Sequence, residues 1–361
     1  MRVLHISLDT AMGGIESFLL NVYKLIDRDK VQFDFIEYGN TKRNFDFCYT
    51  DLGAKIYNLP DRKKHPLLAQ KKLKEIIIKE DYKIVHIHKN SLSEVGAIKV
   101  CQEVGIPKLI VHSHNSYRDN KAVVLIHKIN QKKIDLTKVT KFACSVKASE
   151  WLFGNMNGVT IVKNGIDTKK FGFDPLVREK KRKELKLNDY MVIGSVGRLT
   201  EQKNPLFLLD VMKELKNKNV CLLWVGNGEL KDVVEKRTIE YGLKNKVFFT
   251  GAVTNPEDYY QAMDVFVMPS LYEGFPIAAV EAQCAGLPII LSNKITKEAD
   301  IMDETIWADI DNISAWVHAI EELVENKNKR KSNMIELQSK GYDIKTTVNF
   351  LQDYYMVGET K

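Results

Sequence analysis

The sequence predicts an α/β protein made of two doubly wound, Rossmann-like domains facing each other across a cleft. Three observations predict it. At 361 residues the chain exceeds one ordinary domain, so two cores are the natural reading. Short apolar runs alternate with helical periodicity, which means βαβ units and parallel sheets. The alternation pauses once, at Asn164-Gly165-Ile166-Asp167, and then resumes for a similar length.

The elements follow in order. Strands are expected at 3–8, 33–38, 84–88, 108–112, 142–145 and 160–162, with helical patterns at 15–26, 67–79, 94–104 and 122–131. After the pause comes a polar, highly charged stretch at 178–189. Strands resume at 192–196, 221–225, 247–250, 265–268 and 288–291, and the tail carries helical patterns at 315–324 and 346–355. The boundary is placed near Gly165, giving domains 1–165 and 166–345, with helix 346–361 packing back on the first. Ligands of open α/β sheets bind at the carboxyl ends of the strands, so the loops there are where chemistry is expected.

Composition narrows the class. No apolar run reaches the roughly 20 residues that span a bilayer, and the N-terminal stretch reads as a strand rather than a signal peptide. Cys48, Cys101, Cys144, Cys221 and Cys284 are odd in number and contain no C-x-x-C pair. Free thiols in a reducing cytoplasm are therefore expected. The net charge of +7 is uneven: residues 1–165 hold 27 Lys/Arg against 17 Asp/Glu, and the remainder 27 against 30. An acidic surface or substrate near the first half is implied. The basic residues are scattered among acidic ones with no recognised nucleic-acid module, so no nucleic-acid partner is expected.

Three strand-end loops stand out. Asp9-Thr10-Ala11-Met12-Gly13-Gly14 precedes a helix; paired glycines there admit a ligand to the backbone, and a helix N-terminus suits a phosphate. It is equally a plain tight turn, and it is not G-x-G-x-x-G. Gly197-Arg198-Leu199-Thr200-Glu201-Gln202-Lys203-Asn204-Pro205 sets two cations beside a helix start, where they bracket a diphosphate or stand solvated. In Pro269-Ser270-Leu271-Tyr272-Glu273-Gly274-Phe275-Pro276, Pro276 is expected at the first helical position. Glu281 then falls on the second turn of an apolar helix. A carboxylate so placed needs a partner: a sugar diol, or an internal Arg or Lys.

Glu273 and Glu281 form an E-x7-E pattern that resembles retaining glycosyltransferases of family 4. The G-R-L-x-x-x-K-N segment, the Asn164-Gly165-Ile166-Asp167 junction, the Gly13-Gly14 loop and the Gly251-Ala252-Val253 turn stand in that family's order. The opening Gly13-Gly14-Ile15-Glu16-Ser17, Val111-His112-Ser113-His114-Asn115-Ser116 and Lys297-Glu298-Ala299-Asp300 resemble its bacterial exopolysaccharide and capsule branch. The resemblance implies the GT-B fold, a nucleoside-diphosphate sugar donor, by family habit a UDP-sugar, and retention of configuration. It implies Arg198 and Lys203 as the diphosphate clamp and Glu281 on the donor ribose. Glu273 would stand near the donor sugar, adjoined by Gly274, Phe275 and Pro276, and Gly13, Gly14 and Val253 would lie beside the donor. His114 would be the histidine beside the reacting sugar, with His112 its competitor two residues away on the same strand face.

No cofactor is expected, the nucleotide sugar being a substrate. No metal is expected either: His86 and His88 lack a third ligand of matching spacing, and Asp309-Ile310-Asp311 reads as a turn with Asp311 or Asn312 as a cap. The clamp replaces a divalent cation in stabilising the departing diphosphate. A nucleotide-sugar epimerase of the same fold and a non-catalytic partner subunit are the alternatives. Two segments mix cations with apolar residues: Arg62-Lys63-Lys64-His65-Pro66-Leu67-Leu68 running into Lys71 and Lys72, and Lys121 to Lys133. They imply docking on an anionic membrane, with a lipid-linked saccharide acceptor, unless their apolar positions pack on the sheet.

Overall fold

The computed structural model describes residues 1–6, 13–39, 46–117, 120–325 and 330–357. The chain divides into two compact units, one of residues 1–165 with the segment from Ile344, the other Ile166–Asp343.

The first unit runs β1 (Arg2–Ile6), α1 (Gly14–Leu25), β2 (Gln32–Tyr38), α2 (Phe47–Thr50), β3 (Ile56–Leu59), α3 (Pro66–Lys79), β4 (Ile84–Lys89), α4 (Gly96–Val104), β5 (Lys108–Ser113), α5 (Lys121–Lys133), β6 (Thr140–Ala143), α6 (Val146–Phe153) and β7 (Val159–Ile161). Among the described residues its seven strands pair in parallel in the order β3-β2-β1-β4-β5-β6-β7. The order reverses between β1 and β4, which makes that the switch point.

The second unit runs α7 (Thr168–Phe171), α8 (Pro175–Glu184), β8 (Met191–Val196), α9 (Pro205–Glu214), β9 (Val220–Val225), α10 (Lys231–Glu240), β10 (Val247–Phe249), α11 (Pro256–Ala262), β11 (Val265–Met268), α12 (Ile277–Cys284), β12 (Ile289–Ser292), β13 (Ile306–Ala308), α13 (Ile313–Glu325) and α14 (Met334–Ser339). Among the described residues its six parallel strands order as β10-β9-β8-β11-β12-β13, with the switch between β8 and β11. The last helix, α15 (Ile344–Met356), returns to the first unit, where Val348, Leu351 and Tyr355 join Val3, Phe18, Phe33 and Phe35 in one buried cluster.

Strand parity sorts each core. On β1, Leu4 and Ile6 pack with Leu73, Ile77 and Ile98 from α3 and α4, while Val3 faces α1 and α15. In the second unit Ile193, Trp224, Val267 and Ile290 join Leu208, Leu209, Trp316 and Ile320 of α9 and α13. Both sheets are covered on both faces, as parallel sheets require.

The charged stretch after the pause overlaps a helix that the apolar pattern did not signal. α8 holds itself down with guanidinium groups instead of apolar side chains. Arg178 donates to Gln261 O, Met263 O and Asp264, and Arg182 to Ala262 O, Leu187 O, Tyr190 O and Asp264. Two short strands, β3 and β13, also escaped the sequence reading. At the pair Asp309-Ile310-Asp311, Asp309 accepts from the Asp311 amide and Asn312 caps α13 through Ala315 N.

Candidate active site

The second unit gathers Arg198, Lys203, Glu273 and Glu281 around its switch point. Arg198 follows β8, and the 273–276 loop follows β11, the adjacent strand. Between Arg198 and α9 the chain makes a 3₁₀ turn, Glu201–Lys203, then reverses through Asn204 at φ +53°. Lys203 therefore precedes the helix rather than starting it. Its Nζ donates to Glu273 Oε1 at 2.6 Å. Gln202 donates to Tyr272 O and Glu273 Oε2, and Leu271 N donates to Gln202 O. The two loops are thus tied together, and Glu273 is buried. Arg198 is exposed and takes part in no ion pair among the described residues.

Pro276 is the N-cap of α12, with ψ at 92°, and the helix begins at Ile277. The expected first-turn position is therefore off by one: the chain is still extended at the proline. Gly274, Phe275 and Pro276 are buried, and Phe275 stacks on Tyr342 with ring centroids 5.7 Å apart. Among the described residues, Glu281 pairs with neither an Arg nor a Lys. Tyr260 of α11 donates its hydroxyl to Glu281 Oε2 at 2.6 Å. Burial pushes this carboxyl from its ordinary 4.5 up to about 7; the Tyr260 bond and nearby Lys170 work downward, and Glu257 upward.

Tyr260 was not singled out from the sequence, nor was the Gly226-Asn227-Gly228 turn after β9. A Cβ on Gly226 would stand 2.1 Å from Gly197 O, and one on Gly228 2.3 Å from Leu199 O. Only glycine lets this turn lie against the Arg198 loop. Gly226 also bridges Gly251, which seats half-buried Val253 beside the same turn. A G-x-G closing an apolar strand was the available signal.

In the first unit, residues 9–12 of the glycine loop lie outside the described residues. Gly13 caps α1, its N–H bonded to Glu16 Oε2 at 3.0 Å. Gly14 is exposed, and among the described residues nothing lies within 4 Å of where its Cβ would stand. His114 follows β5, bonded through its N–H to Lys89 O. It is half-buried, whereas His112 is fully buried.

No third ligand of matching spacing follows His86 and His88 in the sequence, but neighbouring strands bring further histidines beside them. Their even parity sets both on the α1/α15 face, where β1 adds His5 and β5 adds His112, with His114 just beyond. Nitrogens of His88, His112 and His114 lie within 4.8 Å of one another, as do those of His5, His86 and His88. The sequence spacing hid this because the rings come from neighbouring strands.

The fold is that of known glycosyltransferase-type structures. HepE of Anabaena, solved in complex with UDP and glucose, superposes with a TM-score of 0.81 at 16% identity, covering 99% of this chain and 100% of that one. This is the GT-B fold. Residues 177–340 match the family described as Glycosyl transferases group 1. EpsF of Bacillus subtilis is 30% identical over 379 residues, covering 100% of this chain and 97% of EpsF. The UDP-Gal:alpha-D-GlcNAc-diphosphoundecaprenol alpha-1,3-galactosyltransferase of Escherichia coli is 26% identical over 388 residues, covering 99% and 97%. The chain belongs to the group 1 glycosyltransferases.

Proposed function

We propose that this glycosyltransferase moves a sugar, with retention of configuration, from a UDP-sugar to a lipid-linked saccharide at the inner face of the plasma membrane, in exopolysaccharide or capsule assembly. One observation carries the reading. Arg198, the Lys203–Glu273 pair at 2.6 Å and the Tyr260-held Glu281 belong to loops and a helix that follow the two switch-point strands. When the anomeric bond breaks, negative charge gathers on the diphosphate. Arg198 and Lys203 meet it, each charge-assisted contact contributing roughly 1.5–3 kcal/mol, and no metal is required. Ionised Glu281 accepts from the ribose hydroxyls. His114, more accessible than His112, meets the donor sugar. The Escherichia coli relative's named substrates, a UDP-sugar and a diphosphoundecaprenol-linked saccharide, support the donor and acceptor classes.

The membrane part of the reading rests on α3 and α5. The alternative required their apolar residues to pack on the sheet. On α5 only His127 is buried, while Leu125, Ile126 and Ile129 are exposed beside Lys121, Lys128, Lys132 and Lys133. On α3, Leu73 and Ile77 are buried but Leu67 is 79% exposed and Leu68 exposed, next to Lys63, Lys64, Lys71 and Lys72. The two helices border one pocket of about 270 Å³, to which α3 gives Pro66, Ala69 and Gln70 and α5 gives Asn130. Among the described residues no helix is long and apolar enough to cross a membrane.

A thermal-shift panel of UDP-, GDP- and ADP-sugars tests the donor. A UDP-sugar at 100 times its Kd should stabilise by roughly 2.7 kcal/mol. No response to any UDP-sugar, or interconversion of free nucleotide sugars without acceptor, contradicts the reading.

A further inference from the structure

We propose that His5, His88 and His114 form a one-way hydrogen-bond chain that holds His114 as its Nδ1–H tautomer, so that the half-buried end of the chain offers a hydrogen bond and does not accept one. The proposal rests on the reading that His114 meets the donor sugar.

The chain is continuous. His5 Nδ1 lies 3.0 Å from His88 Nε2, and His88 Nδ1 lies 2.8 Å from His114 Nε2. Each neutral imidazole carries one N–H and one bare nitrogen. All three rings are neutral: burial pushes His5 and His114 down to about 3 and His88 well below its ordinary value. His88 has one proton to give, so both hydrogen bonds must run the same way along the chain.

The far end sets the direction. His5 Nε2 is buried and has no hydrogen-bond partner among the described residues. If the chain ran from His114 inward, that nitrogen would carry an unmet N–H, and buried orphan donors are rarer than unmet acceptors. Run outward, His5 Nδ1–H donates to His88 Nε2 and His88 Nδ1–H donates to His114 Nε2. His114 then carries its proton on Nδ1, an atom that bonds to none of the described residues. A ring fixed in this way acts as a donor to a sugar hydroxyl or ring oxygen, not as a base.

The full chain, labelled with ¹⁵N-histidine, tests this by two-bond ¹H–¹⁵N spectra, with signals assigned from His88→Asn and His114→Gln. The expected result is a protonated Nδ1 and bare Nε2 on His114; the reverse overturns the proposal. His88→Asn keeps an amide N–H at the Nδ1 position and should hold the His114 tautomer, with kcat within about threefold of wild type. His88→Leu should mix the two tautomers and lower kcat about tenfold with little change in KM. Equal tautomer signals in His88→Leu and wild type overturn the chain. So does stoichiometric Zn²⁺ uptake by the wild type that His88→Leu loses, which would assign the cluster to a metal. If the tautomer is as stated but His114→Gln turns over like wild type, the chain stands and the catalytic reading of His114 fails.

Discussion

At the scale of single residues, Glu281 and Gly14 give the cleanest tests. Glu281 is held near 7 in the folded protein against an ordinary 4.5. Between these values the folded state keeps a proton that the unfolded state has lost, so stability falls as pH rises through that window. Glu281→Gln removes this loss. Its Tm should equal wild type near pH 4.5 and exceed it increasingly up to about pH 7, then stay above it. Donor affinity should move the other way. Wild type should bind more tightly as pH rises from 6 to 8 and the carboxyl ionises, while Glu281→Gln binds weakly and without pH dependence; a Gln variant with wild-type affinity removes the ribose role. Among the described residues nothing lies within 4 Å of where a Gly14 side chain would begin. Gly14→Val should leave thermal stability within about 1 kcal/mol yet cut turnover sharply, and full activity in that variant would end its assignment beside the donor. The apolar helix around Glu281 was legible in the sequence, but Tyr260, 21 residues earlier, was not. Its partnership exists only because α11 packs beside α12.

At the scale of elements, periodicity found the long helices and buried strands and missed what does not depend on apolar side chains. α8 is the main case: Arg178 and Arg182 converge on Asp264, which also accepts from Val192 N at the start of β8. Asp264→Ala leaves two guanidinium groups without their carboxylate, and should destabilise the protein by about 3–5 kcal/mol in urea unfolding. A loss below about 1 kcal/mol would mean the cluster is dispensable. β3 and β13 are short edge strands with weak apolar signal, and β3 carries exposed Asn58. The α3 and α5 segments were legible as mixed cationic and apolar, but only the structure shows which way their apolar residues point. Wild type should sediment with anionic vesicles, not with neutral ones, and less with added salt. Replacing Leu67, Leu68, Leu125, Ile126 and Ile129 by Ser should reduce binding, as should Lys63, Lys64, Lys71 and Lys72 changed to Glu. Absence of binding at low salt would leave a soluble acceptor as the better reading.

At the scale of the whole molecule, two doubly wound sheets divide the charges. The positive surplus belongs to residues 1–165, which hold α3, α5 and the histidine chain. The acidic remainder holds the proposed clamp, where Arg198→Ala or Lys203→Ala should each lower turnover about 100-fold without unfolding the protein. The strand–helix alternation was legible because parallel strands buried on both faces read as near-continuous apolar runs. The pairing of Lys203 with Glu273 was not, because it joins loops 70 residues apart. We propose transfer from a UDP-sugar with retention and without a metal. Its most direct test is the product's anomeric configuration, read by ¹H NMR after turnover of the UDP-sugar found in the thermal panel with a lipid-linked saccharide, in excess EDTA. Undiminished turnover and a new linkage with the donor's own anomeric configuration are expected; an inverted linkage, or activity that EDTA abolishes and a divalent cation restores, would refute the proposal.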